Sequence, residues 1–380
     1  MSIDTHICLI SHQPLPNLIP LMDPAIRPRR VILLISKDMN EKAEWFATAV
    51  PSEIQVRHHP VADPWDVESV QNEVLLLLEK ERESVEQGRL VLNATGGTKP
   101  MTLAVYEACR IYGIPIFFVH PERDRVIWLY PEDRPAHELA NRIRLEPFLS
   151  AHGATVEGRL NRSVPFAERL ELAAGIVHRI EHYQHAIGAL NGLAASAERT
   201  LRSRSLRNGR GNLQKLIQHF AGYGLLRYEE GRLVFPNEEA RFFVNGGWLE
   251  YHIFDAVRRL RERNSRIQDI AWGIQIRRHR RGRAISNELD VAFLCDNRLH
   301  LIECKTRKFA GEGEDTPGAE ALYKLETLAD LIGGLEARAM LVSYRDIRPG
   351  LRARAADMDV TVCAGHQLRN LQSVLVDFIA

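Results

Sequence analysis

The sequence predicts an α/β chain with an N-terminal Rossmann-like domain, a C-terminal mixed-sheet domain and a small winged-helix-like module between them. Three observations carry this reading. A chain of 380 residues exceeds what one ordinary core organises and implies at least two domains. Its first ~130 residues alternate nearly continuous apolar strands with helical runs, the pattern of a parallel sheet covered on both faces. Its C-terminal part contains two apolar runs flanking a short polar break, the pattern of a β-hairpin.

In chain order, Thr5 to Ile10 is the first strand and Arg30 to Ile35 the second, followed by a helical pattern from Glu41 to Ala49. Ile54 to His59 is a weaker strand. Asp66 to Glu83 is a helix, with Asp66 placed to cap its start or favour its dipole. Arg89 to Asn93, Met101 to Tyr112 and Ile114 to His120 follow as strand, helix and strand. The loop Asn93-Ala94-Thr95-Gly96-Gly97-Thr98-Lys99-Pro100-Met101 leaves a strand and enters a helix. Open α/β sheets bind ligands at such places. Adjacent glycines let backbone N–H groups approach a phosphate, and the helix N-terminus adds a favourable dipole. Thr95, Thr98 and Lys99 supply hydroxyls and a charge. The loop has neither Walker A nor G-x-G-x-x-G spacing, and a plain Gly-Gly turn is the competing reading of it.

Polar sequence punctuated by Pro131, Pro135 and Pro147 marks a boundary. Phe166 to Leu193 is one long helical pattern with His178, His182 and His185 on one face. Without a carboxylate to orient them, these histidines read as solvent-facing or packed side chains rather than metal ligands. Leu213 to Phe220 is helical, and Leu225 to Tyr228 with Leu233 to Phe235 forms a hairpin turning at Glu230-Gly231. A helix followed by a wing suits either nucleic-acid contact or a packing adaptor, and both readings stay open.

The second hairpin carries the chemistry. Glu288 to Cys295 and Leu299 to Thr306 flank the polar break Asp296-Asn297-Arg298. Residues two apart in a strand share a face, so Glu303 and Lys305 point the same way, and the hairpin brings Asp290 back beside them. Buried charges need pairing or a metal. A divalent cation, Mg²⁺ or Mn²⁺, held by Asp290 and Glu303 with help from the Cys304 carbonyl, meets that need. Lys305 then faces the phosphate or the attacking water. Cys304 alternates to the opposite face and reads as core packing.

Hydrophobic content of 45% and charged content of 26% are ordinary for a soluble globular protein. No apolar run approaches the roughly 20 residues of a membrane helix, and the N-terminus lacks a signal pattern. Five cysteines without close pairs fit the reduced thiols of a cytoplasmic protein. The net charge of +1 gives no global bias toward nucleic acid. Locally, Arg277, Arg278, Arg280, Arg281 and Arg283 crowd the turn before the Asp290 strand, and Arg199, Arg202, Arg204, Arg207 and Arg210 form a second group. Beside a phosphodiesterase centre the first group suits a polyanionic backbone.

The acid on one strand followed by Glu303-Cys304-Lys305 on the next resembles the PD-(D/E)xK nucleases, which often add a glutamate on an upstream helix. Glu250 in Gly247 to Phe254 matches that position, and the helical run Ala321 to Leu328 would cover the sheet. Together with the Asn93 to Met101 loop, the chain resembles the CRISPR-associated Rossmann-fold (CARF) nucleases over nearly its whole length. The resemblance implies a CARF domain at 1–145, a linker and winged-helix-like module at 146–240, and a nuclease domain at 241–380. It also implies a homodimer whose CARF domains bind a cyclic oligoadenylate, cyclic tetra-adenylate above all. Ser11 and Gln13 after the first strand and Thr95, Gly96, Gly97, Thr98 and Lys99 after the fourth would make the contacts. DNA, RNA or both would be cut, with no membrane involved. Two rivals stay open: a nucleotide-sensing transcriptional regulator with an inert nuclease-like domain, and a nucleotide-cofactor enzyme working at Gly96-Gly97.

Overall fold

The computed structural model describes residues 3–120, 123–164, 167–206, 211–280, 282–307 and 317–380. They form two compact units, Met1–Val156 with Arg277–Ile285, and Glu157–Ile276 with Ser286–Ala380. The first boundary thus falls eleven residues beyond the expected one at 145. Most of the stretch 146–240 is no separate body, because its helices share one apolar core with the second unit's sheet.

In the first unit the chain runs β1 (Thr5–Leu9), α1 (Leu15–Leu18), β2 (Arg30–Ser36), α2 (Asn40–Ala49), β3 (Gln55–Val61), α3 (Val67–Lys80) and α4 (Arg82–Glu86). It continues with β4 (Leu90–Asn93), α5 (Lys99–Ile111), β5 (Ile116–His120), β6 (Arg125–Tyr130), β7 (His137–Glu138), α6 (Leu145–Ala151) and β8 (Ala154–Val156). The main sheet has the order β3-β2-β1-β4-β5-β6-β7. Its first five strands are parallel, and β6 and β7 are antiparallel. Every residue of β1 and β4 is buried, as strands covered on both faces require. Asp66 caps α3 as expected, its Oδ1 accepting from the Ser69 N–H at 3.1 Å. Strand order reverses between β1 and β4, so a crevice opens beyond their carboxyl ends, flanked by the loops after each.

The second unit holds α7 (Ala167–His178), α8 (Ile180–Ala195), α9 (Asn212–Gly222), the wing β9 (Arg227–Glu229) and β10 (Arg232–Val234), and α10 (Glu238–Phe242). A π-helical turn at Phe243–Gly247 leads into α11 (Trp248–Arg261). There follow β11 (Ile267–Arg280), β12 (Arg283–Cys295), β13 (Arg298–Lys305), α12 (Pro317–Gly333), β14 (Arg338–Ser343), α13 (Pro349–Asp357), β15 (Val360–Ala364) and α14 (Leu371–Phe378). Strands β15-β14-β13-β12-β11 are successive neighbours. The β12–β13 pair is antiparallel, whereas β13–β14 and β14–β15 are parallel, so the sheet is mixed. The single long helix expected from Phe166 to Leu193 is two helices broken at Arg179, whose φ/ψ of −101°/31° leaves the helical region. Its halves serve different partners: α7 packs on α11, whereas α8 packs on α9 and the π turn.

The β12–β13 turn fixes the register of everything beyond it. Cys295 pairs with Arg298, so the loop is Asp296-Asn297 alone, one residue shorter than expected. Both residues are left-handed, with φ of 46° and 56°, a conformation that Asp and Asn tolerate better than most residues. Asn297 is buried and satisfied reciprocally by Gln268. Its N–H donates to Gln268 Oε1 at 2.6 Å, and Gln268 Nε2 donates to its Oδ1 at 2.7 Å. Gln268→Leu would remove both of these bonds to the buried Asn297, a cost on the order of 2–4 kcal/mol. Urea unfolding should show that loss, and an unchanged midpoint would mean that the turn holds its register without Gln268.

Candidate functional site

The β12–β13 ladder runs from Cys295↔Arg298 to Val291↔Ile302. Past that point β13 continues beside β14, with Glu303, Cys304 and Lys305 opposite Leu341, Val342 and Ser343. The Cys304 N–H faces β12 where the ladder has ended, and Asp290 Oδ2 accepts from it at 2.7 Å. A side-chain carboxylate therefore stands where a strand would have offered a carbonyl. Glu303 and Lys305 share a face and form an ion pair. Cys304 packs against the apolar core, as alternation predicts, and burial, reinforced by Asp290 and Glu250, pushes its thiol far above the ordinary value. A thiol held neutral is a poor nucleophile.

Glu250 joins from the first turn of α11. Its Oε2 is buried with no hydrogen-bond partner. Burial, then the charge of Asp290, raises its pKa well above the usual carboxylate range. Burial, then Glu303, pushes Asp290 up to about 7. Burial alone would pull the Lys305 ammonium down, but Glu303 and Asp290 outweigh it and hold the group above the ordinary lysine value. Lys305 stays charged, yet one ammonium cannot neutralise three carboxylates. Such a donor set, with an orphaned carboxylate oxygen, fits a hard divalent cation. Among the described residues no three His, Cys, Asp or Glu side chains form a ready-made metal cage. The fitting arrangement is therefore Asp290 and Glu303 with main-chain and solvent oxygens.

The sequence reading missed three neighbours. Thr306 follows Lys305 and is buried. Asn191 of α8, 1% exposed, donates from Nδ2 to Thr306 Oγ1 at 2.7 Å, and its Oδ1 has no partner. Gly246 in the π turn has φ of 123°, and a Cβ there would lie 2.4 Å from Thr306 Oγ1. π turns often mark functional sites, and this one sets the backbone against Thr306 four residues before Glu250. The Gly246-Gly247 pair ahead of a helix was the one visible signal.

In the first unit, the loop after β4 closes tightly on the end of β1. A Cβ on Gly96 would sit 2.0 Å from the Leu9 carbonyl oxygen, and Gly97 has φ of 82°. Only glycine permits this approach. Thr98 caps α5, accepting from the Met101 N–H at 3.3 Å, and its hydroxyl donates to the Pro64 carbonyl at 2.7 Å. The Thr95 hydroxyl donates to Asn93 Oδ1 at 2.6 Å and accepts from the Val119 N–H at 2.8 Å. Its donor is committed to holding the loop, which leaves it a single acceptor lone pair for any ligand. Lys99 is exposed in the first turn of α5. Across the crevice, Ser11 and Gln13 form a local turn: Ser11 Oγ donates to the Gln13 carbonyl and accepts from its N–H, both at 3.3 Å.

The arginines before Asp290 are not gathered beside it. Arg277, Arg278 and Arg283 belong to the far end of the long β11–β12 hairpin, within the segment that groups with the first unit. Arg283 lies seven residues along β12 from Asp290, roughly 23 Å at the rise of a strand. Arg281 and the Arg280 side chain lie outside the described residues, as do Arg207 and Arg210. Arg202 of the second group pairs with Glu230 at 2.6 Å. His178, His182 and His185 are all exposed.

Two families match the chain: one described as the Card1 CARF domain over residues 5–148, the other as Card1-like, endonuclease domain, over 237–380. The crystal structure of protein VC1899 from Vibrio cholerae is 29% identical, covers 99% of this chain and 98% of its own, and superposes with a TM-score of 0.88. Can2 from Sulfobacillus thermosulfidooxidans, solved in complex with cyclic tetra-adenylate, is 27% identical over 99% of both chains, with a TM-score of 0.80. A type III CRISPR defence DNA nuclease activated by cyclic oligoadenylate is similar in fold alone, at 19% identity and a TM-score of 0.56 over 91% of this chain and 46% of that one. No curated protein matches the chain.

The elevated carboxylates make stability depend on pH. In the cation-free folded protein Asp290 holds its proton to about pH 7, whereas in the unfolded chain it loses it near 3.8. Between those values the folded state binds more protons, so stability is full below the lower value and falls as pH rises toward 7. Asp290→Asn keeps an acceptor for Cys304 and removes the charge, and should stabilise the cation-free protein at pH 8 by on the order of 2 kcal/mol. Thermal melts from pH 4 to 8, with and without Mn²⁺, test this. A variant that melts at the wild-type temperature throughout would remove the case for a strained carboxylate cluster.

Proposed function

We propose, for a chain that belongs to the CARF-domain nucleases with a Card1-type CARF domain ahead of a Card1-like endonuclease domain, that the second unit hydrolyses nucleic-acid phosphodiesters in PD-(D/E)xK fashion. Cyclic oligoadenylate at the first unit would switch that activity on in CRISPR defence. The observation that carries the hydrolytic reading is the convergence of Asp290, Glu303, Lys305 and Glu250 where β12 and β13 part. An inert, purely regulatory second unit has less support, since it would have no need to keep four ionisable groups at such electrostatic cost.

Asp290 and Glu303 would hold Mg²⁺ or Mn²⁺, with the Cys304 carbonyl on the same side of β13 as the N–H that meets Asp290. Once bound, the cation would supply Lewis-acid stabilisation to the scissile phosphate and lower the pKa of water there. The chain's own residues do the rest. Glu303 fixes Lys305 by their ion pair, and the ammonium aims at the nucleophilic water or a phosphate oxygen, where it offsets the charge that develops. Glu250, with its unpartnered Oε2, would orient a water within the cluster. Thr306, clamped by Asn191, fixes the backbone just beyond Lys305.

For the first unit, the crevice between the loops after β1 and β4 suits a cyclic oligoadenylate, with backbone N–H groups at Gly96 and Gly97 and the Lys99 charge offered to phosphate or ribose. Can2, solved with cyclic tetra-adenylate, makes that ring size the leading choice. A ring with twofold symmetry would present equal halves to two copies of the crevice, which favours a homodimer. Exposed apolar side chains on α3 and α5, Leu76, Leu103 and Ile111 among them, suit such pairing. The ligand would activate through its greater affinity for the competent arrangement.

A panel of single- and double-stranded DNA and RNA, with each cyclic oligoadenylate in Mg²⁺ and in Mn²⁺, tests the proposal. Cleavage should require both cation and activator, and Lys305→Ala should abolish it while leaving activator affinity unchanged in titration calorimetry. Lys99→Ala should weaken activator binding about ten- to hundred-fold, the worth of a charge-assisted bond, and recover much activity at saturation. Full turnover by Lys305→Ala would place the chemistry elsewhere.

A further inference from the structure

The second unit carries a groove of about 520 Å³ between α8 and α9 that the catalytic reading does not use. Its walls hold Arg179, Lys215 and Arg369 with His178, His182 and His219, and neither an aspartate nor a glutamate. Arg369 shares its charge with exposed Glu181 at 3.0 Å. Arg179 and Lys215 are exposed and make no ion pair among the described residues. A further groove of about 660 Å³ shares His178 and Arg369, and adds Arg259, which is paired with Asp255 at 2.8 Å.

Local structure explains why these cations gather. The break at Arg179 separates α7 from α8 and leaves His178, Arg179 and His182 at the junction. Asn212, the first residue of α9, ties that helix to the same junction by donating from Nδ2 to the His182 carbonyl at 2.7 Å. Neither α8 nor α9 has a side-chain cap at its start, so the positive ends of both helix dipoles add to the potential of the groove. A single small anion would engage one or two of these groups. A run of cations along two joined grooves suits a chain of phosphates. Glu250 and His252 stand two residues apart on α11, about 200° around the helix, and His252 lines the 660 Å³ groove. That groove therefore lies on the opposite side of α11 from Glu250, and the α8–α9 groove adjoins it through His178 and Arg369.

We propose that the α8–α9 groove is an exosite for the nucleic-acid strand, gripping backbone phosphates at a distance from the bond that is cut. This rests on the nuclease reading and adds to it a second contact surface for the same substrate. It also gives the helix-and-wing segment a role in substrate capture.

The test is binding by a Lys305→Ala protein, measured as fluorescence anisotropy of labelled single-stranded DNA, single-stranded RNA and a dinucleotide across a salt series. Adding Arg179→Ala and Lys215→Ala should weaken both long strands on the order of ten-fold and flatten the slope of log affinity against log salt by about 1.4, at 0.7 per lost contact. The dinucleotide, too short to span α11, should be unaffected. Arg179→Lys with Lys215→Arg should retain long-strand binding, which separates charge from folding. Unchanged affinity and slope for the long strands would overturn the exosite. An equal loss for the dinucleotide would also overturn it, in favour of a small-anion pocket. Because no turnover is required, a wild type that cuts with an idle groove rejects the exosite alone, whereas a wild type that never cuts rejects the nuclease reading.

Discussion

One backbone amide organises the second unit's chemistry. Where the β12–β13 ladder stops, the Cys304 N–H would be buried and unpaired, at a cost of about 1–3 kcal/mol. Asp290 satisfies it at 2.7 Å and thereby brings a carboxylate beside Glu303 and Lys305. The same contact creates a difficulty, because two further carboxylates crowd a site with one ammonium. Burial raises Asp290 and Glu250 accordingly. Fold and chemistry are thus coupled: the bond that completes the sheet also assembles a cluster that a divalent cation would relieve.

The two units use glycine and left-handed backbone to similar ends. At Gly96 the absence of a Cβ lets the β4 loop lie on the Leu9 carbonyl, closing the crevice at the switch point of the first sheet. At Gly246 it lets a π turn press on Thr306, directly beyond Lys305. Asp296 and Asn297 set the register that places Asp290 opposite its target. In each case a few residues in a costly conformation position side chains several residues away, as strained segments at functional sites do.

Much of this was legible in the sequence where the signal is local and periodic. The period of two placed Glu303 and Lys305 on one face and Cys304 on the other, and apolar runs separated by helices marked the parallel sheet. What stayed hidden depends on tertiary partners. The break at Arg179 arises because α7 and α8 follow different neighbours, although the residues themselves read as one continuous helix. Asn191 contributes to the site from more than a hundred residues before Thr306, and no spacing reveals such a pair. The arginines at 277–283 looked adjacent to Asp290 because the polar residues between Arg283 and Asp290 gave no sign of extended strand. The two-residue turn was misjudged because Arg298, polar and next to the break, is the first residue of β13.

The proposed chemistry depends most on joint binding of a divalent cation by Asp290 and Glu303. Anomalous diffraction from crystals soaked in Mn²⁺ tests it most directly. One strong peak is expected at coordination distance from both carboxylates, and it should be lost in Glu303→Gln crystals. Cleavage-competent crystals saturated with Mn²⁺ that show no peak there would contradict it.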